Sequence, residues 1–96
     1  MENTNTEQQQ KQNSINLVND IIKQEKYYVG LLEREKEILK VKINALKKKK
    51  SINSGYEVDK EYELVKLEQQ LFHVQQDITA KNRYIEVQTT LVKKNS

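Results

Sequence analysis

Residues 47–56 read KKKKSINSGY, and this stretch decides the fold. It is the one convincing turn signal in the sequence. Lys47, Lys48, Lys49 and Lys50 put four cations where the last turn of a first helix exposes its free carbonyls and partial negative charge. Ser54 and Glu57 have the Ser-x-x-Glu spacing of a capping box, in which hydroxyl and carboxylate each reach a free backbone N–H of the next helix. Glu57, Asp59 and Glu61 then set negative charge at that helix's positive end. Gly55 supplies backbone freedom beside the corner. A stop signal followed at once by a start signal predicts two helices joined by a short turn.

Upstream of the turn, periodicity predicts a helix over about residues 15–48, with Asn13 or Ser14 as its N-cap. Its seam alternates steps of three and four through Ile15, Val18, Ile22, Glu25, Val29, Leu32, Lys36, Leu39, Ile43 and Leu46. Only Glu25 and Lys36 interrupt the apolar run, which is a sustained heptad signal. Such interruptions fix register at some cost in stability, or carry their charge to water on long stems. Residues 1–13 are polar, rich in Gln, Asn and Thr, and without period, so a disordered tail or a frayed helical extension is expected there.

Downstream, a second helix is predicted over about residues 56–93. Its seam runs Leu64, Leu67, Leu71, Val74, Ile78, Lys81, Ile85, Gln88 and Val92. Val58, Tyr62, Val65 and Phe72 are expected to widen its apolar face, and the Gln pairs on either side of His73 bracket a candidate break. At 1.5 Å per residue the two segments span ~50 Å and ~57 Å. Rods of such similar length joined by a short turn favour an antiparallel hairpin.

Helix 1 has a second apolar stripe. Leu17, Ile21, Tyr27, Leu31, Ile38, Val41 and Ala45 fall outside its seam. A helix with one neighbour should be polar there, so two stripes imply two partners. The second partner could be a third helix, another copy of the chain in a homodimer, or a different protein. Gly30 costs roughly 1 kcal/mol relative to Ala inside a helix and fits a close approach on this side. A bare hairpin is also marginal, because ordering costs offset most of the roughly 1.5–3 kcal/mol gained per buried aliphatic side chain.

Composition limits the functions available. The 96 residues hold one domain at most, with 35% apolar and 32% charged. There is no Cys, which removes disulfides, thiol catalysis and Cys-type zinc sites and fits a reducing compartment. No apolar run is long enough to cross a membrane, and no signal-peptide pattern is present. The net charge of +3 is mixed along the chain, without the aromatic or groove-entering motifs of a nucleic-acid binder. The single histidine, His73, lies just off the seam, where an exposed helical His needs no metal or catalytic role. Gly30 and Gly55 stand alone, so there is no phosphate loop. The reading is a non-enzyme without cofactors, whose function lies in its helix surfaces.

Two blocks of the sequence resemble tubulin-folding cofactor A. In KQEKYYVGLL (23–32), Lys23, Glu25, Tyr27 and Tyr28 match that family's Lys-x-Glu-x-x-Tyr-like patch. After the turn, Tyr56-Glu57-Val58-Asp59-Lys60 and then Glu63-Leu64-Val65 look like its Tyr-acidic-aliphatic-x-Lys block and the aliphatic pair that follows. The likeness covers roughly residues 15–91. The chain lacks the proline that the family carries near the position of His73. On this resemblance, the family's further helical stretch, which completes a three-helix bundle, is expected to be short or missing.

The resemblance implies an all-α fold: a helical hairpin or three-helix-bundle-like coiled coil with two long helices. It implies a cytosolic, cytoskeleton-associated chaperone that holds β-tubulin after chaperonin release and passes it on toward heterodimer assembly. Lys23, Glu25, Tyr27, Tyr28, Leu31, Ile38, Tyr56 and Lys60 are the partner-binding residues expected on that reading. Two readings compete with it. One is a structural coiled-coil subunit of a larger assembly, of a prefoldin-like or tethering type. The other, a nucleic-acid accessory role for the lysine run, has the least support.

Overall fold

The computed structural model describes residues 2–50 and 54–95, with the side chains of residues 2–6 and 54 outside that description. The fold is an all-α helical hairpin of two long helices, α1 (Glu2–Lys48) and α2 (Ser54–Asn95). Helix α1 begins well upstream of Ile15. Residues 7–14 are helical and exposed throughout. Their Glu, Gln and Lys content explains this, since these are good helix formers with no breaker among them. The polar segment is therefore the opening of α1, the helical one of the two states that the sequence allows there. Helix α2 begins at Ser54, two residues before the expected start, and passes His73 without interruption.

The turn keeps part of its expected chemistry. Lys47 and Lys48 lie in the last turn of α1, and Glu57 in the first turn of α2. The Lys49 N–H donates to the Leu46 carbonyl at 3.2 Å, a tightened final turn. The Lys60 ammonium donates to the Lys49 carbonyl at 2.7 Å, so a side chain of α2 satisfies a backbone acceptor just past α1. The capping box falls on the Ser54 side chain, outside the described residues.

The chain divides into two compact units, and each pairs a segment of α1 with a segment of α2. The turn unit spans Gly30–Thr79. Its seam is Leu32, Lys36, Leu39, Ile43 and Leu46 against Leu64, Leu67, Leu71, Val74 and Ile78, none of them exposed. Leu39, Ile43, Leu67, Val74 and Ile78 are its buried core.

The terminal unit joins the described residues up to Val29 to those from Ala80 onward. Its seam is Ile15, Val18, Ile22, Glu25 and Val29 against Lys81, Ile85, Gln88 and Val92, again none of them exposed. Only Ile22 is buried there, among the described residues. Three of its nine seam positions are polar, which is why its core is thinner.

Candidate partner-binding surfaces

Heptad letters locate every surface residue. With the seam lettered a and d, Ile15 is an a and Val18 a d in α1, and Leu64 is an a and Leu67 a d in α2. Two antiparallel helices set like-lettered flanks side by side, g beside g and e beside e. In the turn unit Lys47 and Glu68, both e positions, form an ion pair at 3.7 Å.

In the terminal unit, Glu25 and Lys81 are both seam positions, and they meet. The Lys81 ammonium donates to the Glu25 carboxylate at 2.8 Å in a partly buried pair. The same ammonium lies 5.4 Å from the centre of the Tyr28 ring, within cation–π range. The Gln24 amide donates to the Tyr28 hydroxyl at 3.3 Å, and the Tyr27 ring meets Tyr28 edge-on at 6.0 Å. Glu25 thus spends its charge inside the chain, and Tyr28 is partly engaged. Tyr27 is 65% exposed and free to be covered. Lys23 is exposed at a b position, on the opposite flank from Tyr28. The four residues of this block do not share one face.

In the turn unit, Leu31 and Ile38 are both at c positions and are 44% and 50% exposed. Val41, at an f position beside them, is 66% exposed. Arg34, Glu37, Ile38, Val41 and Lys42 line a shallow depression of about 420 Å³. Its floor is apolar and its rim is charged. Tyr56 is half-buried near the start of α2. Lys60 is half-buried and committed to the Lys49 carbonyl. Lys60 and Glu25 are therefore structural in position, while Tyr27, Leu31 and Ile38 are presented outward.

Sequence reasoning missed the surface of α2. Val58, Tyr62, Val65 and Phe72, expected to widen the apolar face of α2 beside its seam, are 54–73% exposed. The signal was available: Val58, Val65 and Phe72 recur at b positions, a full flank away from the seam. In the turn unit this places the α2 stripe and the α1 stripe of Leu31 and Ile38 on opposite flanks. Tyr84, Val87 and Leu91 form a third exposed apolar group, in the terminal unit.

Among the described residues no cluster of His and carboxylate side chains has the form of a metal site. No helix there is long and apolar enough to cross a membrane. No family model, curated protein or solved structure matches the chain.

Proposed function

We propose that this chain is a tubulin-folding chaperone of the cytosol, associated with the cytoskeleton. It captures β-tubulin folding intermediates after chaperonin release, holds them, and passes them on toward heterodimer assembly. The observation that supports this reading is the balance of apolar side chains. Thirteen large ones are exposed among the described residues, against six that are buried. Exposed apolar patches on a small chain mark interaction surfaces. A holdase needs such a surface with a charged rim, and it needs no catalytic group. The client's identity rests on the two sequence blocks that resemble cofactor A. Tyr27, with a large apolar ring and a water-tolerant hydroxyl, suits the contact, as do Leu31 and Ile38.

The test is co-elution of the purified chain with newly released β-tubulin, with α-tubulin and an unrelated unfolded protein as controls. Selective co-elution is expected, and Leu31→Asp or Tyr27→Ala should weaken it while helicity stays intact. Absence of any β-tubulin complex overturns the reading.

A second reading has its own observation. The separate stripe of Val58, Val65 and Phe72 on α2 gives the turn unit two apolar flanks. A permanent subunit of a larger assembly, holding a neighbour on each side, would use both. Stable incorporation into an assembly without tubulin would favour it.

A further inference from the structure

The geometry points to self-association through one flank of the terminal unit, which closes a four-helix bundle with a second copy of this chain. The inference is independent of the tubulin reading. It starts from a shortage of core. Among the described residues the terminal unit buries only Ile22, and its seam includes Glu25, Lys81 and Gln88. Thin cores of this kind usually gain stability through oligomerisation or another staple.

The unit's two flanks differ sharply. On the e and b flank the exposed positions are polar on both helices, from Asn16, Asn19, Lys23 and Lys26 to Asn82 and Glu86. On the g and c flank, over residues 17–28 and 80–91, both helices are apolar except for exposed Gln24. Leu17 and Tyr28 on α1 and Tyr84, Val87 and Leu91 on α2 are 40–62% exposed, beside half-buried Ile21. A cleft of about 360 Å³, lined by Ile15, Val18, Leu91 and Val92 among others, opens in the same unit. The face is therefore two helices wide. A surface of that width is covered by two further helices in a four-helix bundle.

Charge selects the occupant. Glu25 meets Lys81, and Ile15 and Val18 share a cleft with Leu91 and Val92, so Asp20 on α1 lies near the level of Arg83 on α2. Both are exposed f positions at the outer edges of the face. Over the segments 17–28 and 83–94, the c, f and g positions of α1 carry one charge, Asp20. Those of α2 carry Arg83 and Lys94. The α1 edge is acidic and the α2 edge basic. A two-fold axis parallel to the helices lays α1 of each copy over α2 of the other at the same level. Asp20 then faces Arg83 of the second copy twice, as an isologous interface requires. The face is self-complementary, which an arbitrary partner would have no reason to match.

Sedimentation equilibrium of the full chain tests this. The expected mass is twice that of the chain. Arg83→Asp and Asp20→Arg should each raise the dimer dissociation constant by at least ~tenfold, because like charges then face each other. The double exchange should restore it to within ~threefold. Both positions are exposed, so helicity by circular dichroism should be unchanged in all three. Val87→Asp should also give monomer, whereas Val65→Asp, in the turn unit, should leave the dimer intact. A monomer at submillimolar concentration overturns the proposal. So does a dimer indifferent to the single charge reversals, or a double exchange that fails to restore it. β-Tubulin co-elution is read separately, so either proposal can fail alone.

Discussion

At the residue scale, the Glu25–Lys81 pair is the most informative contact. Its two side chains are 23% and 34% exposed, so neither charge is fully solvated. Removing Lys81 takes this cation away from a Glu25 carboxylate that is only 23% exposed. Lys81→Ala is expected to lower stability by about 1–3 kcal/mol in urea unfolding. Glu25→Leu with Lys81→Leu is expected to be neutral or stabilising, since a well-packed apolar pair replaces the desolvated charges. The sequence shows Glu25 and Lys81 as interruptions of two seams. It does not show that they meet, because periodicity within one helix says nothing of its register against the other. Gly30 is a simpler case. It is exposed, and a Cβ built there meets nothing within 4 Å. Gly30→Ala should therefore stabilise the chain by about 0.5–1 kcal/mol, through helix propensity alone. A loss of stability would show that the position needs its glycine.

At the element scale, the seam accounts for which residues matter. The ten α1 positions picked out by steps of three and four are all half-buried or buried, and so are the nine of α2. This part was legible because a heptad repeat is a local property of one strip of sequence. The start of α1 was not legible, because a polar segment without an apolar stripe gives periodicity nothing to detect. The α2 surface was misread for a related reason. An apolar residue at b signals a face without saying whether anything covers it. Truncations should separate the two classes. Leu39→Ala or Ile43→Ala, at 5% and 6% exposure in the turn unit, should cost about 2–4 kcal/mol in thermal or urea unfolding. Val41→Ala, two residues from Leu39 and 66% exposed, should cost less than about 0.5 kcal/mol. The Lys47–Glu68 pair is about half exposed on both sides, so Glu68→Gln should also stay within about 0.5 kcal/mol.

At the scale of the whole molecule, the question is what covers the apolar side chains that folding leaves in water. The two stripes of the turn unit cannot both be buried by one flat partner, because they occupy opposite flanks. Ile38 represents the α1 stripe and Val65 the α2 stripe, at 50% and 54% exposure. A buried aspartate without a partner is strongly disfavoured, whereas an exposed one is tolerated. Each stripe can therefore be tested by one substitution that leaves the seam alone. If β-tubulin is captured on the α1 stripe, Ile38→Asp should weaken co-elution by at least ~tenfold, while Val65→Asp should stay within ~threefold. The reverse pattern moves the capture face to α2. Equal loss on both means that the partner wraps the hairpin or that two partners are held. That result favours the assembly-subunit reading, because a client that must be released gains nothing from being clasped on two sides. Unchanged co-elution in both variants would place the contact outside the turn unit, where Tyr27 remains as the exposed candidate.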